Sequence, residues 1–400
     1  MTESSSETMT PTRRLLILLL VVIISGLSQG LLLPLLAIML ESSGVSPGLN
    51  GFNAASMYIG SFVSMFVVER ILLALGFKRI LIACILLETA ALVLLPVWEN
   101  LAFWFLLRFT IGFGNSILHY TTQLWILTSA PPDRRGRYIS YYGMAYGIGF
   151  SLGPAGINLL SFGRFAPFFI VAVFYLLVAL LLTKLPKQPL QTGDKQAPAK
   201  KRYGTAVRIA WFALIPTFLY GYTEAVLNGS FPLYGLRMGL TDTSVSMLLP
   251  LVGIGGLILQ LPLGILSDRI GRKPVLLAAA VGGGTAFMAV PLAGDSILGI
   301  GLLLFAAGGM IGSFFSLGLA YAADLLPRDL LPSANVIGSI LFSLGSVIGP
   351  NLGGLGLQYI SLGSLFYTLG SVFLIFVISG FAFKGTRRQG TERETESRAL

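Results

Sequence analysis

Two sets of polar side chains recur at helical spacing inside long apolar runs of this 400-residue chain. Arg108, Gly112, Asn115, His119 and Gln123 stand three or four residues apart, so one helix places them on one face. Thr217, Tyr220, Glu224 and Asn228 form a second stripe, and Gln29 lies in an earlier apolar run. Such groups can bind a polar solute and take up or release a proton. Glu224, near the middle of its run, reads either as a proton-coupling carboxyl or as a structural hydrogen-bonding partner. His119 is a candidate proton carrier, since an unperturbed imidazole titrates near neutrality. Glu88 lies mid-run, where a structural partner such as a neighbouring Ser or Tyr is expected rather than a role in function. The chain has no Gly-rich phosphate loop ending in Lys-Ser/Thr, no His/Cys cluster and no Ser/His/Asp constellation. No enzymatic activity, metal or cofactor is therefore expected.

The runs that carry these residues are too apolar for a soluble fold. Hydrophobic residues make up 54% of the chain and charged residues only 11%, against about a quarter charged in ordinary soluble domains. A crossing needs ~20 predominantly apolar residues. Runs of that kind are predicted at 15–40, 50–69, 79–97, 101–129, 138–162 and 165–184, and again at 207–236, 244–267, 274–293, 297–325, 333–359 and 362–384. The expected organisation is an all-α membrane protein: an N-terminal tail (1–14), six helices (15–184), a polar linker (185–206), six more helices (207–384) and a charged C-terminal tail (385–400). The run from Leu15 is too long for the apolar core of a cleaved signal peptide.

A net charge of +10 could suggest nucleic acid, but its placement argues otherwise. Of the 27 Lys and Arg, all but Arg108, Arg164 and Arg237 fall in alternate loops and the two tails. That alternation is the positive-inside pattern and puts both termini in the cytoplasm. The expected partners are a lipid bilayer, a small-molecule solute and protons, with no nucleic acid. Short loops fit a bacterial cytoplasmic membrane, and a monomer is expected. Cys84 is the only cysteine, so no intrachain disulfide can form. Arg108 alone among the basic side chains lies deep inside a predicted crossing, ~10 Å from its start at 1.5 Å per residue, the others lying at most one or two residues within the ends of one. A charge at such depth faces a bundle interior or a water-filled cavity.

The halves repeat. Gly76 and Gly271, Pro132 and Pro327, and Gly143 and Gly338 are each 195 apart, and Pro154 and Pro350 are 196 apart. Several segments agreeing on one offset indicate a duplication, and parallel halves of this kind are a transporter architecture.

Residues 264–273 read GILSDRIGRK. With Gly264, Asp268, Arg269, Gly271, Arg272 and Lys273 in place, this resembles the cytoplasmic loop signature G-x-L-x-D-R-x-G-R-R/K of the major facilitator superfamily. Gly264 would allow close helix packing and Gly271 a tight turn. Asp324 resembles the acid that closes the family's tenth span and pairs with the loop arginines. The resemblance implies a cytoplasmic ionic gate; topology and capping alone are the other reading. By the repeat offset, Asp268, Arg269 and Asp324 correspond to Leu73, Ala74 and Ser129, so the N-terminal half lacks the same latch. Arg108, Gly112 and Gly114 resemble the family's R-x-x-x-G-x-G element in span four. Gly149, Gly153 and Pro154, and more fully Gly345, Gly349, Pro350, Gly353 and Gly354, resemble its antiporter element G-x-x-x-G-P-x-x-G-G. Small-residue helix packing explains the same residues.

What the resemblance implies is two six-helix bundles around a central cavity, transporting by alternating access. A proton-coupled exporter of drugs or metabolites is expected, with the proton gradient as driver. An importer or uniporter of a metabolite, or a receptor on the same scaffold, are the alternatives.

Overall fold

The computed structural model describes residues 11–131, 134–186, 200–327 and 330–383. The expected C-terminal tail, most of the linker and most of the N-terminal tail lie outside them, as does Pro132 of the repeat. Among the described residues the chain is helical throughout, with no strands. The N-terminal half contains α1 (Pro11–Ser42), α2 (Pro47–Ser64), α3 (Val68–Leu94), α4 (Leu101–Ser129), α5 (Arg135–Leu152), a 3-10 segment (Gly153–Phe162) and α6 (Ala166–Thr183). The C-terminal half contains α7 (Lys200–Arg237), α8 (Asp242–Ile270), α9 (Arg272–Ala289), α10 (Ile297–Ile311), α11 (Phe314–Leu325), α12 (Leu331–Tyr359) and α13 (Ser364–Ala382). Helices α10 and α11 are one crossing broken at Gly312 and Ser313, so the described helices make twelve crossings and α12 is the eleventh.

The ends of the helices follow local chemistry. The Ser46 and Asn100 side chains accept from the first-turn backbone N–H groups of α2 and α4, filling donors that helix geometry leaves open. Gly271 has φ +100° between α8 and α9, the turn expected of it, and Gly76 at the equivalent position has φ +74° inside α3. Helices α1 and α7 begin at Pro11 and Lys200, ahead of the apolar runs at 15 and 207. A helix continues through basic turns that a hydropathy boundary excludes.

Eight of the described crossings are apolar enough to identify by length and hydropathy alone. The other four, α2, α3, α5 and α7, carry their polarity inward or at their ends. In α2, Asn50, Asn53, Ser56 and Ser64 are all buried, and Asn50 and Asn53 donate to the Ala37 and Leu101 carbonyls at 2.8 and 3.0 Å. Inward-facing amides whose N–H groups are bonded to neighbouring carbonyls lower the hydropathy of a helix without preventing it from spanning.

The duplication is written in backbone contacts as well as in sequence. A Cβ on Gly112 would overlap the Met57 carbonyl, and one on Gly308 the Val252 carbonyl. Likewise Gly149 abuts the Ile23 carbonyl on α1, while Gly345 abuts the Phe218 carbonyl on α7. Each pair joins equivalent helices at the repeat offset: α2 with α4 and α8 with α10, then α1 with α5 and α7 with α12. Without a hydrophobic drive between helices in lipid, such backbone approach supplies the dispersion contact that holds the bundle. A lysine clamp is also duplicated. Lys78 Nζ donates to the Thr183 and Leu185 carbonyls at 2.5 and 2.8 Å, and Lys273 Nζ donates to the Phe383 carbonyl at 2.7 Å. A cation at a helix C-terminus satisfies open carbonyls and complements the dipole.

Candidate functional site

Between the halves lies a cavity of about 580 Å3, a volume in the range of small-molecule sites. The second stripe opens onto it: Tyr220, Glu224 and Asn228 all line the wall. Glu224 is the only acidic side chain among the described lining residues, and no Lys or Arg is among them. Its Oε1 atom is buried without a hydrogen-bond partner, while Asn228 Nδ2 donates to the Glu224 carbonyl at 2.8 Å. Tyr58 comes from α2 on the opposite wall, and its hydroxyl is also buried without a hydrogen-bond partner. Aromatic rings cover much of the rest. Tyr220 lies 6.3 and 6.1 Å from the Phe315 and Phe342 ring centroids, and Tyr146 donates to Gln29 Oε1 at 3.2 Å. An unpaired carboxyl among aromatic faces is suited to an organic cation.

The first stripe is divided rather than continuous. His119 lines the cavity; Arg108, Asn115 and Gln123 do not. Arg108 is buried against α2, where its Nη1 donates to Asn53 Oδ1 at 3.1 Å. Gly112, one turn on, brings the α4 and α2 backbones together. Asn115 turns toward α1 and donates to Ser25 Oγ at 2.7 Å. The spacing correctly placed these residues on one face, but α4 crosses α2, α1 and α5 in turn, and that face meets a different neighbour at each depth. Thr217 likewise lies off the cavity, donating to the Leu214 carbonyl within its own helix at 2.7 Å. Glu88 has the structural partner expected of it: the Tyr175 hydroxyl donates to Oε2 at 2.6 Å. Tyr58, Tyr142 and Tyr146 were not singled out in the sequence, because no periodicity links their helices to the stripes.

The cavity is reached from one side. Its lining includes Met65, Gly143, Gln260, Ser316 and Ser339, all toward the helix ends on the face that carries residues 11 and 383. On the opposite face the halves are joined. Arg237 Nε donates to Glu41 Oε1 at 2.6 Å, Gly48 N donates to Gln358 Oε1 at 3.0 Å, and Asn158 Nδ2 donates to Ser246 Oγ at 3.0 Å. A Cβ on Gly51 would overlap the Pro350 carbonyl, and one on Gly354 the Pro47 carbonyl. Pro350, Gly353 and Gly354 thus belong to this seal or to packing beside it, and Pro154 lines the cavity.

On the terminus-bearing face, Arg272 pairs with Asp268 at 2.5 Å and with Asp324 at 3.3 Å, and its Nη1 donates to Ser267 Oγ at 2.5 Å. All four residues belong to the C-terminal half. Gly264 has no heavy atom within 4 Å of where a Cβ would stand, so the close packing expected of it is not made in this conformation. Arg269 is exposed. The motif therefore stands folded on its own half while the opposite face is shut.

The Glu41–Arg237 pair is only partly exposed, at 14% and 34% of the two side chains, and it bridges the halves. Pairs at this exposure contribute up to ~1 kcal/mol. Glu41→Gln is expected to open the far face a few-fold more often. The readout is faster labelling of a Tyr58→Cys variant from that face, in a background where Cys84 is replaced by Ser. An unchanged rate would remove the pair from any gating role.

This geometry has counterparts in known proteins. The family model described as Major Facilitator Superfamily matches residues 18–241 and 213–399. The chain is 40% identical over 373 residues to "Uncharacterized MFS-type transporter YfkF" of Bacillus subtilis (strain 168), covering 90% of this chain and 94% of that one. It is 22% identical over 374 residues to an MFS-type transporter, YcaD, of Salmonella heidelberg (strain SL476), covering 92% and 95%. A mutant of the nucleoside transporter NupG superposes with a TM-score of 0.77 at 14% identity, covering 92% of this chain and 99% of that one. A D-xylose-proton symporter does so with a TM-score of 0.75 at 15% identity, covering 94% and 99%. The multi-pass helical fold, the duplicated halves and these matches agree: the chain belongs to the major facilitator superfamily of secondary transporters.

Proposed function

We propose that the protein exchanges protons for an amphipathic, aromatic-friendly monocation, with Glu224 as the group for which the two compete. The observation that carries this reading is the wall composition: one acid, unpaired, among aromatic rings, with no Lys or Arg in the described lining and His119 bonded to Ser25 and Tyr142. A proton on Glu224 removes the charge that would hold a cation, so the two occupy the site in turn. The shut far face and open near face supply one of the two states that alternating access requires. The protein sits in a bacterial cytoplasmic membrane as a monomer, and the Lys and Arg distribution supports both termini being in the cytoplasm. Export follows if the inward-directed proton gradient drives the exchange, and the antiporter-like glycines fit this reading.

The test is flux in inside-out vesicles carrying the purified protein, with ethidium as the probe cation. An acid-inside gradient should drive uptake, and collapsing the gradient should stop it. Uptake driven by the reverse gradient would make the protein an importer by symport. Binding of ethidium with no flux under either gradient would overturn transport of this class altogether.

A further inference from the structure

A second carboxyl in the N-terminal half is connected to the same cavity through a chain of hydrogen-bonding groups. Glu88 on α3 is 0% exposed. The groups that face it come from each helix packed around it: Tyr175 on α6, Asn115 and Gly114 on α4, and Cys84 one turn away on α3. Tyr175 meets Oε2 at 2.6 Å. Oε1 lies over Gly114 and has no partner at hydrogen-bond geometry. No Lys, Arg or His stands among these groups. A carboxylate needs partners on both oxygens, whereas a carboxylic acid can donate through one and leave the other weakly used.

The chain leads outward from Tyr175. The Ser25 and Ser28 hydroxyls of α1 are its next polar neighbours, both buried, and a turn of the Tyr175 hydroxyl closes that step. Ser25 Oγ is 3.0 Å from His119 Nε2, and His119 Nδ1 is 2.8 Å from the Tyr142 hydroxyl. His119 and Tyr142 both line the cavity. Asn115 Nδ2 donates to Ser25 Oγ at 2.7 Å, which leaves the Ser25 hydrogen free to point at His119.

We infer that Glu88 is a second proton-binding site, loaded and unloaded through Tyr175, Ser25, His119 and Tyr142. Unloading balances at every link. With the carboxyl proton on Oε2 and the Tyr175 hydroxyl turned from Oε2 toward Ser25, Glu88 gives its proton to the Tyr175 oxygen, Tyr175 passes its own to Ser25, and Ser25 passes its own to His119 Nε2. His119 releases the Nδ1 proton to Tyr142, and Tyr142 releases its own to cavity water. One proton leaves Glu88, one enters the water, and each group between ends with the hydrogen count it began with. Glu224, on the other half, takes no part. The site goes beyond competition at Glu224, and its test uses protons alone, so failure of one reading leaves the other standing.

The experiment is infrared spectroscopy of the full-length protein in detergent, transferred from H2O to D2O at neutral pH. Wild type should show a carboxylic acid C=O band that disappears in Glu88→Gln and persists in Glu224→Gln. His119→Phe should keep that band but slow its deuterium shift about tenfold, as expected when a local path closes and exchange must wait for rarer opening. Should Glu88→Gln not fold, Tyr175→Phe must shift the band without abolishing it. Loss of no acid band in Glu88→Gln, no response to Tyr175→Phe, or an exchange rate unchanged by His119→Phe would each overturn the inference.

Discussion

Gly51→Val is expected to hold the transporter open toward the far face. In the present conformation the Cβ of any residue at position 51 would fall on the Pro350 carbonyl oxygen, which is helical backbone of α12 and has little room to yield. Overpacking a well-fitted contact costs ~1–3 kcal/mol when neighbours can adjust, and more when the obstacle is a main chain. The contact joins the two halves, so that cost falls on the shut state and not on the folding of either bundle. A penalty of ~5.5 kcal/mol would carry a two-state equilibrium from 99:1 to 1:99, and even a quarter of it changes the ratio about tenfold. Tyr58→Cys should then label from the far face about tenfold faster or more, while alternating transport falls toward zero. Gly112→Val is the contrast. Its Cβ would meet the Met57 carbonyl inside one half, so the expected result is lost yield and a lowered Tm. A Gly51→Val protein that transports normally and labels like its parent would show that the α2–α12 contact is not the seal.

The second large effect is at Glu224. Glu224→Gln preserves the side-chain volume and removes the negative charge, so the fold should persist and gradient-driven accumulation of a cation should fall to the passive level. Glu224→Asp keeps the charge and withdraws it by one methylene, and should retain part of the activity. The pH dependence has a definite sign. Protons compete with the cation for one carboxylate, so apparent affinity is full well above the pKa of the site. Below it, affinity falls by up to about tenfold per pH unit. The Gln variant should bind weakly and show no slope. Undiminished accumulation by Glu224→Gln would remove the residue from coupling.

Much of the architecture was legible because membrane burial leaves a strong mark in sequence. Helix α4 occupies Leu101–Ser129, as its apolar run and the Asn100 cap imply. What hydropathy could not show was the interruption of helices by packing. Helix α5 stops at Leu152 and continues as a 3-10 segment, where Gly153 lies against the α1 backbone at Gly30 and Leu31. The tenth crossing breaks at Gly312, which presses on the Gly256 Cα. Both breaks depend on a neighbour far away in sequence.

The site was half legible for the same reason. The α7 stripe ran true over Tyr220, Glu224 and Asn228, because that helix keeps one face to the cavity along this stretch. On α4, the same reasoning left Arg108 facing either the bundle interior or the cavity, and the structure has it in the interior, with Nη1 bonded to Asn53. The Arg272–Asp324 pair matches the ionic contact that the loop resemblance implied. In the seal on the far face only Pro350 stood out, as part of the glycine-rich element; Glu41, Arg237 and Gly51 gave no sign of it, since they are solitary residues on three helices. The repeat offset would have found the paired lysines, because Lys78 and Lys273 stand in register and do the same work at the ends of α6 and α13.

Proton release on cation binding tests the account most directly. Purified protein in weakly buffered solution above the pKa of the site already has an ionised Glu224 and should release little. Near that pKa, adding ethidium should release a fraction of a proton per protein, rising as the pH is lowered while ethidium remains saturating. The same titration of Glu224→Gln should release none. Saturable ethidium binding with no proton release at any pH, or equal release from the Gln variant, would contradict competition at this carboxyl.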